Sequence, residues 1–312
     1  MTRLAAISVD LDSLPHYCRI QGLPESTLSA EAGELVATKA VPRFLELFAA
    51  AKVPATFFVI GGDLGSALLP DALKRAHAVG VELANHSFSH DYALSSKSAS
   101  HIEADLVRCE VELLAKVGVK PIGFRAPGYT LTAAMLEAVT ARGYLYDSST
   151  FPAAPYYLAK ASVMAALRAV GRPSRAVLDS PKVLLAPRVP YRPSASNPYA
   201  KGHSPLVELP MSVSPIARVP FIGTVATSMP WVLVESTFRR LRHDVLFNFE
   251  LHAIDVLDMS DGIAPQLAAQ QRDLRVPVSR KMERLAKLFS WLADDREVVT
   301  LEQAARRLSD SL

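Results

Sequence analysis

The stretch Leu4–Asp12, LAAISVDLD, sets the pattern from which the fold is read. The run Leu4–Val9 is apolar or small, short enough for a buried strand, and two carboxylates follow at once. The same device returns along the chain. Val81–Ala84 precedes NHSFSH, Pro121–Phe124 precedes Arg125, Tyr144–Tyr146 precedes Asp147, and Val245–Leu251 precedes His252. A β/α barrel gathers the ends of its parallel strands on one face, so these polar groups are expected to converge there.

Ala55–Ile60, Leu206–Leu209 and Glu297–Thr300 read as further strands. Between the runs lie segments of helical period: Glu34–Ala51 with Pro42 early in it, Pro70–Val79, Ser98–Val117 closed by Gly118, and Thr132–Arg142 closed by Gly143. Val232–Leu241, Ser279–Ala293 and a helix from Leu301 continue the alternation. About seven strand-then-helix units favour an α/β fold that closes, or nearly closes, into a barrel. From 151 to 205 the rhythm breaks into Pro, Ser and Arg with one helical stretch, Tyr157–Val170. This reads as a lid or insertion on a single domain of residues 1–312.

Half of the 312 residues are hydrophobic and 21% are charged, which excludes a disordered chain. Lys and Arg number 34 against 31 Asp and Glu, a net +3 too balanced for a nucleic-acid partner. Cys18 and Cys109 form no CxxC pair and no disulfide framework, in keeping with a reduced compartment, and Cys109 lies on the apolar face of its helix. The uncharged run Val219–Val234 contains Pro220 and Pro230 and is shorter than the ~20 residues of a transmembrane helix; it reads as core strand plus loop. No signal-peptide core follows Arg3. The expected location is the cytoplasm, with a peripheral place at the inner membrane face open to it; the oligomeric state is unknown.

His86 and His90, four apart, can aim both imidazoles at one point from a helical turn or a wide loop turn. A carboxylate would make a third ligand and leave positions for water and substrate, the arrangement of a catalytic metal site. Asp10 and Asp12, two apart in an extended run, point to the same side, so one can bind metal while the other handles a proton. Arg125 would orient and balance one of the two, and Gly128 would admit a backbone N–H to a developing oxyanion. His16, Tyr17 and His203 read as loop residues, Asp255 and Asp258 as loop carboxylates, and His77, His101 and His243 as exposed.

The ordered set SVDLDS, ELANHSFSH, FRAPGY, YDSS and FELHAID resembles the polysaccharide deacetylase family, the NodB-like carbohydrate esterase family 4. The resemblance implies a distorted (β/α)7 barrel, TIM-like. It implies a metal-dependent hydrolase that removes an N-acetyl or other N-acyl group from an amino sugar, in a glycan or on a lipid or nucleotide carrier. Asp12, His86 and His90 would bind one divalent ion, by family habit Zn2+, although Co2+, Ni2+ or Mn2+ suit the same donors. Asp10 would be the general base, oriented by Arg125. The backbone N–H of Tyr129 would stabilise the oxyanion, His252 would protonate the leaving amine, and Asp147 would hold the His252 tautomer. Two departures stand out: Asp-x-Asp replaces the adjacent aspartates of many members, and SSTF after Asp147 lacks a tryptophan, leaving Phe151 as the aromatic wall. A formamido-sugar or cyclic-amide hydrolase and a silent carbohydrate-binding barrel are the alternatives.

Overall fold

Strand β1 (Leu4–Asp10) is buried along its whole length and lies at the heart of a parallel sheet. The structure, a computed structural model, describes residues 2–169 and 177–312. Among these the other strands are β2 (Thr56–Val59), β3 (Glu82–Asn85), β4 (Gly123–Phe124), β5 (Tyr146–Asp147), β6 (Pro193–Ser194), β7 (Asn197–Lys201), β8 (Val207–Glu208), β9 (Leu246–His252) and β10 (Glu297–Val299).

β1 pairs along its full length with β9, from Leu4 opposite Leu246 to Asp10 opposite His252. Its other edge meets β10 at Leu4–Ala6 and β2 at Ser8–Asp10, and the parallel order continues through β3, β4 and β5 to β8. The seam between β8 and β9 is bridged where Ser212 N–H donates to Asn248 C=O at 3.1 Å and where Ile222 pairs with Glu250. The sheet thus curls into a distorted (β/α)7 barrel, with β10 wedged beside the start of β1.

Parallel strands need cover on both faces, which is why their runs are almost continuously apolar. Helices Val41–Ala51 and Val278–Asp295 supply the outer cover, stacking Phe44, Phe48 and Phe289 on Phe57 and Phe249. Each such burial is worth about 1.5–3 kcal/mol. The segment expected as one helix over 34–51 contains a π turn at Val36–Ala40, just before Pro42. Proline has no N–H to give and its ring crowds the carbonyl four residues back; the wider turn relieves both problems. Helix Ala99–Val117 begins at Ser98, whose Oγ accepts the His101 N–H, and ends at left-handed Gly118. It buries Ile102, Leu106, Cys109 and Leu113 as their spacing predicts, and both cysteines are free.

Helix Leu301–Ser309 stops the barrel opposite the mouth, packing Leu301, Ala304 and Leu308 with Ala6, Phe58 and Tyr146. Its N-terminus rests on the Glu82 carboxylate, which accepts from Glu302 N–H (2.9 Å), Thr56 Oγ1 (2.8 Å) and the Tyr146 hydroxyl (2.6 Å). An anion is favoured at that end of a helix.

Residues 151–205 hold helix Ala154–Ala169, a 3-10 turn at Pro181–Leu185 and the β6–β7 hairpin. The helix expected from Tyr157 starts at Ala154, and Val170 lies outside the described residues. Val183, Tyr199 and Leu206 share an apolar cluster with Leu131 and Met135, which seats the insertion on the barrel. One expectation is corrected. The run Val219–Val234 is not strand plus loop; after Ile222 it forms helices Gly223–Ser228 and the start of Trp231–Arg240. Gly223 permits this, since a Cβ there would lie 1.8 Å from Asp255 Oδ2, and Pro230 opens the second helix. Among the described residues no helix is long and apolar enough to cross a membrane.

Candidate active site

Asp10 ends β1, and Asp12 follows it at the mouth; both are buried. His86 leaves β3 directly, and its Nδ1–H donates to the Arg125 carbonyl at 2.8 Å. That bond fixes the tautomer and frees Nε2. His90 arrives by a loop in which Ser87 and His90 both have left-handed backbone, φ 65° and 50°. Such backbone costs an L residue roughly 1–2 kcal/mol. Hydrogen bonds offset it: Ser87 Oγ accepts the His90 N–H at 2.9 Å, and Asp105 accepts from Phe88 N–H (2.7 Å) and Ser89 N–H (3.1 Å).

Nε2 of His86 and Nε2 of His90 lie 3.5 and 3.3 Å from Asp12 Oδ1. Ligand atoms ~2.1 Å from a tetrahedral cation stand about 3.4 Å apart, so the three donors fit one divalent ion. Asp12 Oδ1 is buried without a hydrogen-bond partner, as a ligand oxygen would be. Burial opposes ionisation of Asp12, but His90 and His86 outweigh it and hold the carboxyl well below its usual range. Burial pushes His90 down to about 4. A carboxylate and a neutral imidazole are the metal-binding forms.

Arg125 is wholly buried, and Nη1 lies 2.6 Å from Asp10 Oδ1. Nη2 donates to Ser8 Oγ (2.9 Å) and Ser148 Oγ (3.0 Å), Nε donates to Ser148 C=O (2.8 Å), and the guanidinium lies 4.0 Å from the centre of the Phe58 ring. Of the two aspartates, Asp10 is therefore the one Arg125 holds. Its other oxygen is buried without a donor, 3.7 Å from His86 Nε2.

His252 ends β9 with its Nδ1 2.9 Å from Glu250 Oε1 and its Nε2 3.1 Å from the Tyr129 hydroxyl. That hydroxyl also donates to Glu250 at 3.2 Å. Burial disfavours the imidazolium, but Glu250 beside it outweighs burial and lifts His252 well above its ordinary pKa. Asp10, Glu250 and His252 bring one polar atom each within 4.8 Å of the others.

Two expectations are corrected. The structure does not join Asp147 to His252. Asp147 sits on β5 in register with Glu208 of β8, and its Oδ1 accepts from Ser149 Oγ at 2.6 Å. Burial raises both carboxyls, Glu208 far above its usual value with the Asp147 charge adding to the shift. Register is the reason: β5 and β8 are neighbours, whereas His252 finds Glu250 on the inward side of its own strand. Likewise, the Tyr129 N–H donates to Ala126 C=O at 3.0 Å and is already engaged. The turn is held by left-handed Gly128 and Tyr129, φ 64° and 61°, and a Cβ on Gly128 would lie 2.4 Å from the Tyr92 ring. What Tyr129 presents to the site is its hydroxyl, kept protonated by burial and by the Glu250 charge.

Phe151 packs 5.4 Å from Tyr129 and 5.0 Å from Tyr156, forming an aromatic wall. Sequence reasoning missed Glu250, Asp105 and Ser148. Glu250 had a signal: Asn248, Glu250 and His252 alternate along a strand otherwise made of Phe and Leu, a polar line facing the barrel interior. His16, read as a loop residue, lies buried in helix Leu14–Gln21, with Nε2 2.9 Å from Asp63 Oδ1 and its ring 4.6 Å edge-on to His90. A groove of about 270 Å³ opens between His16, Arg19, Ile20, His90 and Tyr92. Asp255 holds the His252 backbone N–H at 2.8 Å, and His77, His101, His203 and His243 are exposed.

The family model for polysaccharide deacetylase matches residues 27–146, which include His86, His90, Arg125 and Tyr129. The peptidoglycan deacetylase of Helicobacter pylori is 27% identical over 158 residues, 50% of this chain and 53% of that protein, so the match spans about half of the relative's length. Among solved structures, a provisionally assigned polysaccharide deacetylase from Mycobacterium smegmatis superposes with a TM-score of 0.64 at 19% identity, over 99% of this chain and 91% of that one. PuuE allantoinase superposes at 0.59 with 15% identity over the same shares. These two share the fold. Over residues 27–146 the chain is thus similar to the polysaccharide deacetylase family, and its barrel has the same architecture as these solved structures.

Proposed function

We propose that the protein is a metal-dependent hydrolase that removes an N-acetyl or other N-acyl group from an amino sugar, carried in a glycan or on a lipid or nucleotide. One observation carries the reading: two charged pairs, Arg125 with Asp10 and Glu250 with His252, stand beside Asp12, His86 and His90. Amide hydrolysis asks for such a division, a base for water and an acid for a poor amine leaving group.

Asp12, His86 and His90 would hold the divalent ion, Zn2+ by family habit, with Co2+, Ni2+ or Mn2+ suited to the same donors. When bound, it supplies Lewis-acid polarisation of the acyl carbonyl and lowers the pKa of water. The free oxygen of Asp10 takes a proton from the attacking water as the water oxygen bonds to the acyl carbon. Arg125 occupies the other oxygen and keeps the carboxylate aimed. As the C–N bond breaks, its electron pair leaves with nitrogen, and His252 gives that nitrogen its Nε2 proton. Glu250 stabilises the imidazolium beforehand, and the Tyr129 hydroxyl steadies the Nε2 side. The proton on Asp10 returns by way of solvent to His252 and restores its imidazolium, and the acid product gives its remaining proton to solvent, leaving a carboxylate and an amine. Asp147 acts at a distance: through Ser149, whose Oγ accepts the Ala126 N–H at 2.8 Å, it positions the turn that carries Tyr129.

The test is acid release by the Zn2+-loaded protein from a panel of N-acetyl and N-formyl amino sugars and a cyclic ureide. Acetate from the N-acetyl sugars, abolished in Asp10→Asn and in His252→Ala, is the expected result. Preference for opening the ureide, or no release from any member, overturns the reading.

A further inference from the structure

Beside the mouth, one flank combines exposed apolar side chains with cations. Helix Ala154–Ala169 contains two charged residues, Lys160 and Arg168, both cationic. Tyr156 and Tyr157 line a cleft with Tyr129 and Val183, which places the start of the helix at the rim of the site. Farther along, Leu158 and Val163 are 61% and 59% exposed, and Ala159, Ala165 and Ala166 are exposed with them. A surface helix ordinarily turns charge to water; this one turns leucine, valine and alanine.

Two neighbouring tips extend the pattern. The Pro181–Leu185 turn follows Asp179, whose carbonyl accepts from the Tyr157 hydroxyl at 3.1 Å, and it leaves Leu185 84% exposed. Beside it, Arg218 Nη1 donates to Ala186 C=O at 2.9 Å, and the loop before Arg218 carries Ile216, 96% exposed. Exposed Lys182 stands on the same turn, and half-buried Arg188, three residues beyond its end, is paired with Asp244. From Phe151 to Val219 the sequence carries nine Lys and Arg against two carboxylates, +7 within a chain of +3; of the nine, Arg172 and Arg175 lie outside the described residues, and Arg192 binds Ser309 at the closed end of the barrel, away from this flank. Of the two carboxylates Glu208 is buried, while Asp179 shares a cleft with Lys160 and offsets it in part, accepting also from the Tyr199 hydroxyl at 2.5 Å and from Ser180 N–H.

Leucine and isoleucine tips among lysine and arginine suit the boundary of an anionic bilayer, where apolar side chains enter the acyl layer and cations meet phosphate. We propose that this flank docks on an anionic lipid surface and so brings the mouth to a substrate carried there. The docking stands on the surface alone, and only its purpose rests on the deacylase reading.

Flotation of the full chain with vesicles tests it, using phosphatidylcholine alone and phosphatidylcholine mixed with phosphatidylglycerol. Partition into the mixed vesicles should exceed that into neutral ones by about tenfold or more at low salt and fall as salt rises. Leu185→Ser with Ile216→Ser, and separately Arg168→Glu with Lys182→Glu, should each lower it by about tenfold while metal content stays unchanged. No flotation at low salt, equal partition into both vesicles, or variants that float like the parent overturn the proposal. So does a dimer in solution that the Leu185→Ser, Ile216→Ser variant dissolves, which would make the face a contact between two copies. Because flotation needs no turnover, a protein that floats but releases no acid sinks the deacylase reading alone, and an active one that does not float sinks only this inference.

Discussion

Arg125 holds Asp10 with its side chain, at 2.6 Å, while its backbone carbonyl takes the Nδ1–H of His86 at 2.8 Å. One residue thus sets the direction of the proposed base and of one proposed metal ligand. Arg125→Met leaves a buried carboxylate without its counter-charge and should cost about 3–5 kcal/mol in denaturant unfolding. Arg125→Lys keeps the charge but not the planar fork, so it should fold and hold metal with kcat lowered about 10²-fold. Unchanged stability in the methionine variant would argue that Asp10 does not depend on Arg125 as its partner.

Metal content separates the two aspartates. Elemental analysis should find about one divalent ion per chain in the parent and in Asp10→Asn, and little in Asp12→Ala, where a ligand oxygen is gone. Turnover should fall by about 10²–10⁴ in Asp10→Asn despite the bound ion. Metal lost in Asp10→Asn and kept in Asp12→Ala would exchange the two assignments.

Glu250 raises the His252 pKa, and in the proposed reaction His252 acts in its protonated form. The alkaline limb of kcat should therefore lie above the ordinary histidine range in the parent. In Glu250→Gln the imidazolium loses its counter-charge and deprotonates sooner, so the limb should move to lower pH. Asp147→Asn should leave that limb in place, since Asp147 bonds Ser149 and faces Glu208. A limb shifted by Asp147→Asn and not by Glu250→Gln would restore the pairing the family resemblance implies.

The Asp147–Glu208 pair has its own pH signature. Glu208 has a higher pKa folded than its ordinary value. Such a group contributes stability that is full below its unfolded pKa and is lost as pH rises through the folded one. Tm should accordingly fall as pH rises above the ordinary glutamate range, and less steeply in Glu208→Gln, whose side chain never ionises. Parallel Tm–pH curves for the two proteins would contradict the raised Glu208 pKa.

Much of the site was legible because strand ends announce themselves: an apolar run stops, and Asp10, His86, Arg125 or His252 follows. The roles of Asp147 and Tyr129 were not. Asp147 occupies a strand-end position like the others, but which neighbour its carboxylate meets depends on the β5–β8 register, which no local pattern encodes. Whether the Tyr129 N–H is free depends on the backbone of Gly128 and Tyr129 itself. The helices were placed to within a few residues by period and caps, except where Val219–Val234 offered no charge to mark a face.

The pairing of β1 with β9 also governs when the barrel can form. Leu4 and Leu246 are neighbours in space, yet roughly 240 residues of synthesis separate them, about 12–50 s at the ~5–20 residues per second of a ribosome. Through that interval β1 has an unpaired edge and an uncovered apolar face of Ala5, Ile7 and Val9, features that draw chaperones and invite aggregation. Folding is therefore expected to be late and dominated by non-local contacts, so yield in the cell should respond to chaperone supply and translation speed more than to single core substitutions.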